Sequence, residues 1–241
     1  MLTNPRADRV RSVRGLSRRQ SRERSGLFVA DGPQSVREAV RHAPGAVRDL
    51  YVTPAARERH ADIVTAARAA DIELRECSEE VLAAMSGTDA PQGLLAVCAV
   101  DRPRLADVLA RRPRLLVVLV HVRDPGNAGT VIRAADAAGA DAVLVTTESV
   151  DVHAPKVVRS TAGSSFHLPI VTGLEPAALL AELAAAHVGV ALLHPEQLVD
   201  VLLRGEAREG QHAQARTGLR GWLRRVHSVA DHGELLPAPP L

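Results

Sequence analysis

Apolar and polar positions follow two alternating rhythms along this chain. Between residues 26 and 100, short apolar runs are separated by stretches in which apolar residues recur every three or four positions, the spacing that lines one face of a helix. LFVADG (27–32) reads as a strand ending in a turn. PQSVREAVRHA (33–43) reads as a helix with Pro33 in its first turn, where a missing N–H is tolerated. VRDLYVT (47–53) is a second strand, and PAARERHADIVTAARAA (54–70) a helix with an arginine-rich outer face. IELREC (72–77) is a strand, SEEVLAAMS (78–86) a short helix capped by Ser78, and GLLAVCAV (93–100) a wholly apolar strand. Together they predict a small alternating α/β domain over 26–100. Residues 101–113 read as a linker with one short helix between the breakers Pro103 and Pro113.

A second unit, 114–193, opens on LLVVLVHV (115–122), a continuous apolar run suited to the middle of a parallel sheet. A DPGNAG turn follows, then a helix over 129–138, the strand AVLVTT (142–147) and a helix opening at Pro155. LPIV (168–171), PAALLAELAAAH (176–187) and VGVALL (188–193) continue the rhythm. Strand–helix alternation with short loops predicts an open, mainly parallel sheet. The expected fold class is therefore α/β, in two successive modules.

Composition limits the chemistry. At 241 residues the chain can bury a sizeable core, but two Phe, one Tyr and one Trp leave Leu, Val and Ala to fill it. All thirty basic residues except Lys156 are arginine, a skew that reflects GC-rich coding more than arginine-specific chemistry. Cys77 and Cys98 are too few for a disulfide framework or a cysteine zinc site. No apolar run reaches membrane-spanning length and no hydrophobic signal core is present, so a soluble, cytoplasmic protein is expected.

Charge is unevenly placed. Net charge is +2, yet residues 1–25 hold eight arginines against Asp8 and Glu23, eight minus two giving +6. Such a segment suits a phosphate-binding arm or helix, because guanidinium pairs with phosphate in bidentate fashion. Arg6, Arg9, Arg11, Arg14, Arg18 and Arg19 are the candidate nucleic-acid contacts. No aromatic residue is interleaved with them, so backbone contact is expected rather than base stacking. A solvated helix face is the other reading.

DPGNAG carries the other candidate chemistry. In a parallel sheet the loop after a strand lies at the carboxyl edge, where ligands bind. Gly126 and Gly129 permit tight backbone geometry, and Asn127 caps the helix or holds a neighbouring loop. Arg133 sits inside a run of Val, Ile and Ala, four residues after Gly129, and points back toward the loop, where it suits a phosphate or carboxylate. The segment is neither G-x-G-x-x-G nor G-K-[ST], which excludes the dinucleotide and P-loop readings. A capped helix with an arginine at its rim satisfies the same residues.

HVRDPGNAGTVIRAADAAGADAVLV followed by PKVVRSTAGSSFHLPIV closely resembles the first motif and its continuation in the SpoU-type RNA ribose 2'-O-methyltransferases of the SPOUT class. GLFVADGPQSVREAV, LYVT and MSGTDAPQGLLAVC resemble the ribosomal-protein-like substrate-binding domain at the amino end of that family. The resemblance covers roughly residues 2–172. It implies S-adenosyl-L-methionine bound in a deep trefoil knot, a homodimer, and an RNA substrate, ribosomal RNA ahead of transfer RNA, since the reaction needs a 2'-OH. No metal is expected. The family's motif asparagine and arginine fall on Asn127 and Arg133, which implies a catalytic centre there. Guanidinium is a very poor base, so Arg133 is read as a phosphate clamp and orienter. Lys156 and Arg159 either contact RNA or cap a helix over 155–165. Ala154 stands where the family usually has Asn, and Asp31 where Glu is common.

After about residue 193 the family pattern stops. Neither a Gly-Asn-Glu-Gly-like turn nor a Ser-Leu-Asn-Val-Ser-like segment is present, and those elements form the knot and most of the cofactor pocket, so cofactor-binding residues are unassigned. His187, His194, His212, His227 and His232 crowd this end, but their spacing matches no zinc pattern. The divergent tail, 194–241, is read first as a shift of reading frame near 190–195 and second as an RNA-binding extension. The expected function is an RNA 2'-O-ribose methyltransferase. The alternative is a catalytically inactive RNA-binding remnant of that family without its knot.

Overall fold

The computed structural model describes residues 1–88, 90–186 and 188. The tail 194–241, almost all of the strand expected over 188–193 and the five histidines from His187 onward lie outside the described residues.

In the first module α1 (Asp8–Gly15) and α2 (Arg19–Ser25) lead into β1 (Leu27–Asp31) and α3 (Pro33–His42). Then come β2 (Val47–Val52), α4 (Pro54–Arg59), α5 (Ala61–Ala69), β3 (Leu74–Glu76), α6 (Glu79–Met85) and β4 (Leu94–Ala99). The basic start is thus two helices, and α1 is amphipathic: Val10 and Val13 are buried while its arginines face out. Ser78 caps α6, its hydroxyl accepting from the Val81 N–H at 3.3 Å. The single helix expected over 54–70 is broken at His60. Its first turns bury only Ala56, so packing does little to hold them in line with α5.

The four strands run in the order β1-β4-β2-β3, with β4 antiparallel to both neighbours and β2 parallel to β3. Side chains alternate between two cores, as the pleat requires. Phe28, Ala30, Leu50, Val52, Leu94, Ala96 and Cys98 pack with residues of α3 and α5. Val29, Tyr51, Leu95 and Val97 face the opposite way, onto α1 and α6. Burial pushes the Cys77 thiol up to about 11 and the Cys98 thiol up to about 12, so neither is a thiolate nucleophile or ligand.

The second module contains α7 (Leu105–Ala110), β5 (Leu116–Leu119), α8 (Pro125–Ala138), β6 (Ala142–Thr146), α9 (Pro155–Ser160), β7 (Ile170–Leu174) and α10 (Pro176–Ala185). β5, β6 and β7 form a wholly parallel sheet in that order. Its faces are covered by different helices: Leu119, Val143 and Val145 pack on α8 and α9, whereas Ala142, Leu144 and Val171 pack on α7 and α10. The continuous apolar runs follow from this double burial.

The modules share packing. Val158 of α9, 1 % exposed, sits in the core under the first sheet, with Phe166 packed against it. The Phe28 ring stacks on Phe166 at 6.0 Å and tilts against His153 at 4.9 Å. Gly163, at φ +101°, lies so close to α3 that a Cβ there would stand 2.3 Å from Glu38 Cγ. A side chain at that position would push the modules apart.

Candidate functional site

The DPGNAG segment is a helix start. Asp124 is the N-cap, its carboxylate accepting from the Asn127 N–H at 2.8 Å, and Pro125 takes the first helical position. α8 therefore begins four residues before the expected Gly129. The physical reason is that an Asp–Pro pair satisfies both demands of a helix amino terminus. Asn127 is consequently not the cap. It lies in the first turn with its side chain exposed. α8 ends at Gly139, whose φ of 71° is the left-handed cap.

Gly129 serves packing rather than a turn. A Cβ on it would lie 1.8 Å from Ser160 Oγ and 2.7 Å from the Ser160 carbonyl carbon, so α8 and α9 cross at backbone contact. The Ser160 hydroxyl lies 2.9 Å from Pro125 O and 2.8 Å from Val157 O, which ties the start of α8 to α9.

Arg133 is exposed. The apolar run around it is buried through Ile132, Ala134 and Ala135 instead. It is the ninth residue of α8, about 12 Å along the axis from Pro125. The earlier helix start places it about two turns into α8 rather than one. Asn127 and Arg133 are separated by about 9 Å along the axis and about 120° around it. The helix alone does not bring them together.

Lys156 is exposed on α9. α9 ends at Ser160 rather than 165, and a separate short 3-10 turn spans Ser164–Phe166. Arg159 neither caps α9 nor stands clear of the protein. It reaches the first module, with Nη2 donating to Gly87 O at 3.5 Å and Nη1 at 3.9 Å from Asp31 Oδ2. The same Asp31 oxygen accepts from the Ser86 hydroxyl. Asp31 Oδ1 and Arg159 Nη1 are buried without a hydrogen-bond partner among the described residues.

The basic segment divides by burial. Arg6, Arg14 and Arg18 are exposed. Arg9 reaches Asp49 at 3.5 Å, Arg11 pairs with Asp8 and donates to Arg6 O, and Arg19 pairs with Glu23 at 2.7 Å, all at the surface. Exposed pairs of this kind are weak, so these guanidiniums can exchange partners. Arg22 differs: its Nη1 donates to Leu16 O and Ser17 O, and its Nε and Nη2 to Asp151 Oδ2 at 3.0 and 2.5 Å. It locks α2 to the loop before α9. Burial drives the Asp151 carboxyl up, but the Arg22 hydrogen bonds, the His153 N–H and the neighbouring positive charge together outweigh it and hold the group below its ordinary value. Burial beside Arg22 lowers His153, with Asp151 only partly opposing.

One cluster was invisible in the sequence. Glu38 and His42 of α3 meet His167 and Asp136 of the second module. The i,i+4 spacing of Glu38 and His42 was readable, but Glu38 and His167 are 129 residues apart.

A small mixed-sheet module followed by a parallel-sheet module, with a capped helix at the carboxyl edge, defines the class to which the chain belongs. Residues 114–206 match the SpoU rRNA Methylase family, and residues 7–96 match the MRM3-like substrate binding domain. The chain is similar to the 23S rRNA (guanosine(2553)-2'-O)-methyltransferase RlmP of Bacillus subtilis, 34% identical over 68% of this chain and 61% of that protein. It is also similar to the AdoMet-bound rRNA methyltransferase of Sinorhizobium meliloti, at TM-score 0.64 and 26% identity, over 77% of this chain and 68% of that one. A crystal structure of an RNA 2'-O ribose methyltransferase matches at TM-score 0.60 and 30% identity, over 77% and 70%. The chain belongs to the SpoU rRNA methylase family. It spans less than two thirds of the length of the first curated relatives it matches.

Proposed function

We propose that this chain is an S-adenosyl-L-methionine-dependent RNA 2'-O-ribose methyltransferase acting on ribosomal RNA, working as a homodimer in the cytoplasm. The observation that carries the reading is the order of the two matched modules, with the DPGN-capped helix at the edge of the parallel sheet. Among the described residues no helix is long and apolar enough to cross a membrane, which agrees with a cytoplasmic site of action. The cofactor supplies a methyl group on a sulfonium. The described residues fit it in one respect: the Ser149 hydroxyl, just beyond β6 at the carboxyl edge, is buried without a hydrogen-bond partner among them, and such a group can bond a polar atom of a ligand. Other cofactor contacts are unassigned.

Arg133 acts as a phosphate clamp that orients the reacting ribose, since guanidinium cannot accept the hydroxyl proton. Asn127, in the first turn of α8, positions the loop that leads into the helix. Lys156, Arg6, Arg9, Arg11, Arg14, Arg18 and Arg19 supply phosphate contacts that place the RNA without reading its sequence. Arg159 contributes at the seam, where its buried Nη1 has no hydrogen-bond partner among the described residues.

Calorimetric titration with S-adenosyl-L-methionine, paired with methyl transfer to ribosomal RNA, tests this. One-site binding and 2'-O-methylation are expected, with Arg133→Ala lowering turnover about 100-fold. A folded chain that holds RNA but takes up no cofactor would instead be the catalytically inactive remnant.

A further inference from the structure

Where α3 meets the second module, three ligand atoms converge. Glu38 and His42 stand one turn apart on the same face of α3. Glu38 Oε2 lies 3.3 Å from His42 Nε2 and 3.1 Å from His167 Nε2, and the three ligand atoms all fall within 4.8 Å of one another. The His42 and His167 rings are 4.3 Å apart. On the far side of its ring, His167 Nδ1 is 2.7 Å from Asp136 Oδ2, a separation that needs a proton on Nδ1. Neutral His167 then points the Nε2 lone pair at a carboxylate oxygen. Two electron-pair donors that close require a cation between them.

The spacing suits a metal ion. Bonds of about 2.0–2.1 Å to His nitrogen and carboxylate oxygen place adjacent ligands roughly 3.0–3.4 Å apart. A carboxylate on the outer nitrogen of a ligating histidine is the usual support that fixes its tautomer and orientation. Glu38 is held in place, since the Gly163 backbone leaves no room for even a Cβ beside it. The side chains of Glu38, His167 and His42 are 14%, 26% and 50% exposed, which leaves an entry path and coordination positions for water.

We propose that Glu38, His42 and His167 form a binding site for a divalent transition-metal ion of the zinc type that clasps the two modules together, with Asp136 orienting His167. The assignment does not depend on the methyltransferase reading. Asp136 follows Arg133 by three residues on α8, so the ion also steadies the helix that presents Arg133. The rival occupant is a proton. Partial burial opposes a charged His167, but Asp136 and Glu38 outweigh it and raise its pKa.

The test uses the full-length chain without an affinity tag, stripped with chelator and titrated with Co²⁺, whose visible absorption reports coordination. Thermal melts with and without Zn²⁺ run in parallel. The wild type is expected to take up Co²⁺ at about micromolar affinity or tighter and to melt higher with Zn²⁺. His42→Ala and Glu38→Gln are expected to weaken Co²⁺ binding about tenfold or more and to abolish the Zn²⁺ shift. His42 is half exposed, so its variant keeps the metal-free melting temperature. If either variant melts below the stripped wild type, His42→Gln replaces it. Binding equal in wild type and variants would place the ion elsewhere on the chain and overturn the proposal. No binding at about 100 µM metal would leave the proton as occupant and overturn it too.

Discussion

The seam between the modules and the outer faces of α1, α8 and α9 are built from the same cations, used in opposite ways. At the seam the Arg22 side chain is 5% exposed and all of its hydrogen bonds end on protein. On the outer faces Arg14, Arg18 and Lys156 are exposed. In a chain whose basic residues are almost all arginine, residue type does not separate scaffold from surface cation. Burial and the identity of the partner do. The seam spends its charge on fixing one module against the other, whereas Arg14, Arg18 and Lys156 stay exposed on the faces.

The sharpest way to break this comparison is Arg22→Met, which keeps the aliphatic stem and leaves Asp151 in place without its cation. Removing one partner of a buried pair costs about 3–5 kcal/mol, and the Asp151 side chain at 18% exposure puts the effect at the low end. Urea unfolding should therefore lose about 3 kcal/mol. A loss under about 0.5 kcal/mol, typical of surface changes, would mean that Arg22 belongs with the surface arginines. Val158→Ala tests the seam without charge. Val158 is 1% exposed in the first module's core but comes from the second, so its loss should cost about 2 kcal/mol. The two modules should still unfold in one transition. Two separate transitions in the wild type would show that the seam does not couple them.

How much of this was legible depends on the range of the contacts. LLVVLVHV and AVLVTT announced parallel strands because both sheet faces are covered, and burial on both faces removes polar alternation. The α/β class followed from that. DPGN misled because Pro-Gly is a frequent turn signal, whereas Asp124 and Pro125 together make a helix start. Arg22 looked like its neighbours because α2 has no apolar stripe to show which side faces inward. The cluster of Glu38, His42, His167 and Asp136 depends on how two modules dock, and no local period encodes docking. Asn127 and Arg133 came from family resemblance rather than spacing, and the axial separation along α8 shows why spacing could not supply them.

A smaller effect should appear with pH. His153 is half-buried against Phe28, and that burial beside Arg22 holds its pKa below 6.5, so folding favours the neutral ring. Its contribution is present above pH 6.5 and is lost as pH falls through the folded value. Asp151, held below 3.8 by Arg22 despite its burial, adds a second loss at more acid pH. His153→Phe keeps a ring against Phe28 and binds no proton. Its stability, compared with wild type between pH 7 and 5, should fall less steeply. Parallel curves would show that His153 does not titrate on unfolding.

Stability should change least on the outer faces, and there RNA binding is the measurement that decides. Arg14 and Arg18 are exposed, so the double variant Arg14→Ala, Arg18→Ala should shift unfolding by less than about 0.5 kcal/mol. Each guanidinium that neutralises a phosphate releases condensed counterions, so the slope of log affinity against log salt should shrink by about 0.7–0.9 per lost contact. Loss of both contacts predicts a slope shallower by about 1.5 on a ribosomal RNA fragment, with affinity falling uniformly across sequences because phosphate contacts carry no base information. Arg22→Met, tested at a temperature where it remains folded, should leave that slope untouched. If it flattens the slope as much as the surface pair does, the division between seam and face fails, because α2 would then act as one phosphate-binding unit whose buried arginine also sets the posture of the exposed ones.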